Sequence, residues 1–279
     1  MRDTLKKTGK IAAIAGFAFL AAHTAPVIAA AYDTQRLDRM PDFTQTDPAL
    51  GLPNGGRMYC APVAAANALV WLSEDRGYSR LLPIRGLSTT EKVATVARML
   101  GEADYMSTAP KGGTSHHSFL TGLERYIEQA NYSARLRYRG RWQMKDRFVD
   151  SLTPPDVSWI REQFDDGAAV WLSIGFYREG SVPNQLSRIG GHIVTVAGYG
   201  VDADGSADRD TLILHDSDDT ASTEIQRLYL GFEELRLGTF VNRDGEHAGD
   251  AEGHLVVKKG YGLKSGIIAI IDSAMSLEL

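Results

Sequence analysis

The spacing of apolar residues divides the chain in two. After the Gly-rich loop Asn54-Gly55-Gly56, the residues Ala61, Val63, Ala64, Ala65, Ala68, Leu69, Val70, Trp71 and Leu72 recur with helical period. This predicts a helix from Cys60 to about Glu74 that stops before Gly77. A second predicted helix runs from Thr89 to Leu100, capped by Thr89 or Thr90 and ended by Gly101. Gly112-Gly113-Thr114-Ser115 opens a third, His116 to Ala130, with Phe119, Leu123, Tyr126 and Ile127 on one face. Arg135 to Arg141 alternates Leu136 and Tyr138 with arginines, as a half-exposed strand does. Thr153-Pro154-Pro155-Asp156 starts a short helix, Val157 to Phe164. The lead-in from Tyr32 to Pro53 reads as extended and polar.

From Ala168 the period changes. Apolar or alternating runs at Ala168 to Phe176, His192 to Tyr199, Thr211 to His215, Glu224 to Leu230, His254 to Lys258 and Gly266 to Ile271 are separated by Gly and Asp clusters. Such spacing suits an antiparallel sheet or a small barrel. Helices first and strands second predict an α+β fold, with a helical N-terminal lobe, a β C-terminal lobe and the active cleft between them.

The N-terminus adds an address. Arg2, Lys6, Lys7 and Lys10 precede the apolar run Ile11 to Ala22, and Ala29-Ala30-Ala31 supplies a small-residue cut site, so residues 1–31 read as a signal peptide and 32–279 as one mature domain. Export to the periplasm or the medium is expected. No other stretch is apolar enough to cross a bilayer, so no stable membrane insertion is expected after cleavage. Removing Arg2, Lys6, Lys7 and Lys10 along with Asp3 takes the formal charge from -5 to -8. An acidic exported domain has little to offer a phosphate backbone, which makes nucleic acid a poor partner.

Cys60 is the single cysteine and cannot form an internal disulfide. An unpaired thiol in an oxidising compartment is a liability unless it is buried or used. At the first turn of a helix it meets unpaired N–H groups and the positive end of the dipole, which favour the thiolate; the plainer reading is a small buried hydrophobe. A catalytic thiol also needs a base, a group to hold that base and donors for the oxyanion. Gly190-Gly191-His192 leads into the strand Ile193 to Tyr199, and the strand Thr211 to His215 ends on Asp216. A hairpin would bring the start of the first strand beside the end of the second. His192 and Asp216 are therefore expected neighbours.

The Tyr-Cys-x-Pro start of the helix, the Gly-Gly-His strand ending in Gly-Tyr and the later apolar strand ending in Asp resemble the bacteriocin-leader-peptidase-like branch (cysteine peptidase family 39) of the papain-fold cysteine peptidases. The similarity runs from about Asn54 to Phe240 and includes the Trp159-Ile160 helix and the Gly-Ala-Ala-Val-Trp-Leu-Ser-Ile-Gly strand. It implies Cys60 as nucleophile, His192 as general base and acid, and Asp216 as the residue orienting the imidazole. The implied substrate is a peptide or protein, and no metal or organic cofactor is required. The family's oxyanion glutamine falls at Asn54, whose amide is one methylene shorter, and its glycine after the cysteine is Ala61 here. Gln45 is a fallback donor, distant in the chain. A thioester-dependent transferase and a catalytically silent binding module are the alternatives.

Other polar clusters read as ordinary. Asp202 to Asp210 is carboxylate-rich but lacks the closing glutamate of an EF-hand, and reads as a solvated turn. His116, His117, His247 and His254 have no metal-ligand spacing. Specificity is expected from the 116–130 helix and from the 177–190 segment, which carries Arg178, Glu179 and Arg188.

Overall fold

The computed structural model describes residues 34–84, 86–108, 112–141, 147–218, 227–261 and 263–279. The expected signal segment and Trp142 lie outside them. The α-helices and strands among the described residues are α1 Thr34–Arg39, α2 Cys60–Asp75, α3 Thr89–Gly101, α4 His116–Gln129 and α5 Val157–Asp165, with β1 Arg135–Gly140, β2 Val149–Ser151, β3 Ala169–Glu179, β4 Gln185–Val201, β5 Ala207–His215, β6 Leu228–Glu234, β7 Thr239–Val241, β8 His247–Asp250, β9 Leu255–Lys259 and β10 Ile267–Glu278. The fold is α+β. Strands β3, β4, β5, β6, β9 and β10 pair antiparallel in a ring, each with the next and β10 back with β3, so the sheet closes into a barrel. Closure removes exposed edges from these strands.

Two apolar centres hold the halves together. One lies inside the barrel around Leu172, Val194, Leu212 and Ile271. The other buries α2, α3 and α4 against the outer face of the barrel, around Leu69, Trp71, Val96, Phe119 and Trp171. The alanines at 61, 64, 65, 66 and 68 are all buried, which lets α2 lie close to β3 and β4. The helix is also tied polarly: Trp171 Nε1 from β3 and Thr195 Oγ1 from β4 both donate to the Ala64 carbonyl, at 3.1 and 3.0 Å. α2 is thereby fixed to the strand that carries His192.

Several expectations change. The N-terminal lead-in is not wholly extended: α1 buries Leu37, and Met40 follows it into the interior. Arg36, buried between the rings of Trp71 and Phe164, donates to the carbonyls of Ala168 (3.1 Å) and Phe164 (3.3 Å) at the end of α5. This arginine serves as packing and cap together, which its charge concealed in the sequence. Ser88, not Thr89 or Thr90, caps α3, in a capping box with Glu91. Of the strand expected at Glu224 to Leu230, residues 224–226 lie outside the described residues and the described strand is Leu228–Glu234; β2, β7 and β8 are too short to give a periodic signal. No helix among the described residues is long and apolar enough to cross a membrane.

Candidate active site

The loop before α2 is wound by three consecutive left-handed residues, Asn54, Gly55 and Gly56, with φ of 53°, 63° and 75°. Glycine costs nothing there and asparagine little. Gly56 also lies on the backbone of Gln45, where a Cβ would come within 1.6 Å of the Gln45 carbonyl oxygen. No other residue fits without moving that strand of backbone. Cys60 follows as the first residue of α2, half-exposed, with no side-chain cap over the helix end. Its N–H is one of the donors that a helix start leaves without an intrahelical partner.

His192 and Asp216 arrive from the β4–β5 hairpin, in which Thr195 pairs with His215. The pairing puts Asp216, one residue past the strand, opposite the region of His192. His192 Nε2 and Asp216 Oδ1 are hydrogen-bonded, and both side chains are buried. Cys60 is the second side-chain hydrogen-bond partner of His192. Ser217 locks this register: its hydroxyl lies 3.2 Å from the Cys60 carbonyl and 3.1 Å from that of Ile193, and its own carbonyl accepts from the Gln45 N–H. One serine thus ties the helix of Cys60, the strand of His192 and the segment of Gln45 together.

Asp216 is held at both oxygens. Oδ1 also accepts from the Asp218 N–H at 2.9 Å, and Oδ2 accepts from the Tyr261 hydroxyl at 3.0 Å. Burial alone would raise its pKa, but the bonds from His192, Asp218 and Tyr261 outweigh burial and hold it below the ordinary value. Burial would likewise lower His192, yet the hydrogen bonds and charges of Asp216 and Cys60 raise it to about 10. The imidazole is therefore protonated at neutral pH, between the ionised Asp216 carboxylate and Cys60. Such a pair titrates as a unit.

Cys60 and His192 open onto a cleft of about 600 Å³. Gln45, Arg57 and Met58 line it on the α2 side, His116 and His117 at the start of α4, and Phe176 and Arg188 on the barrel. Both segments expected to set specificity reach it.

The structure brings Cys60, His192 and Asp216 together and leaves Asn54 out. Asn54 is exposed on the outer side of its turn and does not line the cleft. Its residue type serves the left-handed backbone. Gln45, which looked too distant, lines the cleft beside Cys60, with its Nε2 donating to the Arg57 carbonyl at 3.0 Å. The signal that could have found it is Gly56, whose missing side chain admits the Gln45 backbone. Tyr261 and Ser217 were also unforeseen. Asp218 reaches Asp216 through its backbone N–H.

No protein-family model and no curated protein matches this chain. The reading of the site therefore rests on its own geometry.

The remaining clusters have local roles. Asp202 Oδ1 accepts from the N–H groups of Asp204 and Ser206 at 3.0 and 2.9 Å, closing the β4–β5 turn. Among the described residues no group of three or more His, Cys, Asp or Glu side chains is arranged to hold a metal. Trp71, Trp159 and Trp171 are core residues and none of them walls the cleft.

Proposed function

We propose that the chain is an exported cysteine hydrolase of the papain-like, family 39-like kind, cleaving amide bonds in peptides or proteins through a thioester. The observation that carries the reading is the meeting of Cys60, His192 and Asp216 from three separate elements, with Cys60 and His192 opening onto one cleft. A cysteine kept only for packing needs neither a buried imidazole beside it nor a carboxylate held at both oxygens.

In this mechanism the Cys60 thiolate attacks the scissile carbonyl carbon, and the carbonyl oxygen takes up negative charge. In this reading the Cys60 N–H and the Gln45 amide donate to that oxygen, and Gln45 takes the role that the resemblance assigned to Asn54. His192, protonated at rest, delivers its proton to the leaving amine as the C–N bond breaks. The neutral imidazole then removes a proton from water, whose oxygen attacks the thioester and releases the acid and the thiolate. Asp216 keeps the ring oriented and stabilises its charge in both steps. Tyr261 and the Asp218 N–H keep Asp216 ionised and in place. Nothing in this sequence of steps calls for a cofactor.

The test is turnover. The wild type is expected to cleave members of a mixed peptide pool, with a covalent acyl adduct on Cys60 visible by mass spectrometry after rapid acid quench. Cys60→Ala should abolish both. Cleavage that survives Cys60→Ala would refute the reading.

A further inference from the structure

Arg188 lies on the cleft wall four residues before His192. Its surroundings are built rather than incidental. Nε donates to Asp272 Oδ2 at 2.8 Å, and Asp272 is wholly buried. The other Asp272 oxygen accepts from the Tyr177 hydroxyl, whose pKa is raised by burial and by that carboxylate, so the phenol remains a donor. The arginine keeps about a third of its side chain exposed (32%). Its guanidinium lies over Gly191, where a Cβ would come within 2.0 Å of Nη2. Arg188 and His192 line the same cleft.

Two β-bulges converge on this arrangement. In the β3–β4 ladder Phe176 faces Gly190 and Tyr177 faces Arg188, so Ile189 is the extra residue. In the β3–β10 ladder Ile174 faces Ile271 and Ser173 faces Ser273, so Asp272 is the extra residue. Bulges beside active sites re-aim side chains. Here one sits next to the arginine in β4 and the other holds its carboxylate in β10. Gly175 of β3 clears the space between, since a Cβ there would lie 2.4 Å from Asp272 Oδ2.

A buried ion pair contributes little net stability, and apolar residues of similar volume would close the barrel wall as well or better. What the pair does provide is a guanidinium with a fixed orientation at the cleft surface. An oriented guanidinium matches a carboxylate in both charge and shape. His116, next to it on the opposite wall, is driven down to about 4 by burial and by Arg188, against the pull of Asp272, so it adds no competing charge near neutrality.

We propose that Arg188 is a carboxylate anchor of the cleft, binding a carboxylate that the peptide substrate carries near its scissile bond. The carboxylate is an acidic side chain or the substrate's own C-terminus; both offer the same pair of acceptor oxygens. The peptide nature of the ligand rests on the hydrolase reading, but the anchor is tested without the thiol.

The experiment measures binding of fluorescein-labelled heptapeptides to the full chain carrying Cys60→Ala. One set of peptide pairs differs by Glu against Gln at each inner position, all with amidated C-termini. A second pair, free of acidic side chains, differs only by a C-terminal acid against its amide. At least one carboxylate member should bind about tenfold or more tighter than its neutral twin, as a charge-assisted hydrogen bond supplies. The set in which this occurs identifies the source. Adding Arg188→Gln should bring that ratio close to one. Because Arg188→Gln leaves Asp272 buried without its cation, the double change Arg188→Gln/Asp272→Asn is measured as well and should erase the preference equally. Equal binding within every pair, or a preference that survives in both variants, would overturn the assignment. Failure of wild-type turnover would sink the hydrolase reading while leaving this binding result to stand or fall alone.

Discussion

Gln45 and Asn54 compete for one role, and they can be told apart. Replacing Gln45 with alanine removes the side-chain amide from the cleft while leaving Cys60, His192 and Asp216 in contact. If that amide stabilises the oxyanion, kcat should fall by about 10²–10³, equivalent to roughly 2.7–4 kcal/mol of transition-state stabilisation. KM should change little, because the charge appears only as the carbonyl is attacked. Asn54→Gly keeps the left-handed backbone at φ 53° and deletes only an exposed amide, so kcat should stay within about threefold of wild type. Gly56→Ala offers an indirect version: a Cβ 1.6 Å from the Gln45 carbonyl must push that backbone away. It should lower kcat towards the Gln45→Ala value and also cost stability. The assay pairs peptide turnover with alkylation of Cys60 by iodoacetamide, a displacement that creates no oxyanion. Gln45→Ala should therefore lose turnover but alkylate at a rate near that of wild type. A larger kcat loss for Asn54→Gly than for Gln45→Ala would refute the assignment.

Three further outcomes follow from the same geometry. Asp216→Asn removes the strongest partner raising His192, so its pKa should drop from about 10 towards the ordinary 6.5, read by ¹⁵N shifts of the imidazole, with kcat reduced. Because that raised pKa links to folding, the stability it contributes is complete below about 6.5 and lost as pH rises through about 10, which urea unfolding against pH should show. Tyr261→Phe leaves Asp216 Oδ2 without its hydroxyl donor and should cost about 1–3 kcal/mol. Since the Asp216 pKa is depressed, its stabilisation exists at neutral pH and fades as pH falls; in Tyr261→Phe the fade should begin at higher pH than in wild type. Ser217→Ala releases both the Cys60 and Ile193 carbonyls and should lower kcat more than it raises KM, in steady-state kinetics.

How far the sequence revealed this site depended on the range of each contact. α2 and β4 were legible because their apolar periods are long, and the His192–Asp216 meeting followed from one hairpin, a local construction. Tyr261 was not, and although Gln45 was named as a fallback donor and Arg188 fell in a segment expected to set specificity, the contacts that place them were not. Gln45 reaches the cleft through a backbone approach that only Gly56 permits, and Tyr261 meets Asp216 across the barrel from the segment between β9 and β10. The Arg188 arrangement depends on two bulges facing a third strand, and no periodic pattern reports a bulge until the pairing is known. Asn54 misled because its residue type answers a backbone demand as well as a chemical one. Arg36 fell in a lead-in read as extended and polar, whereas here two aromatic rings and the carbonyls of Phe164 and Ala168 enclose it.

The central claim is that His192 activates Cys60, and alkylation tests it without a known substrate. The rate of iodoacetamide reaction would be followed from acid to alkaline pH for wild type and His192→Ala. At about pH 6, where a free thiol is scarcely ionised, wild type should react at least about tenfold faster than the variant, and the two should converge near pH 10. Equal rates at about pH 6, or no reaction until the chain is unfolded, would mean that Cys60 is not the nucleophile of a thiolate–imidazolium pair.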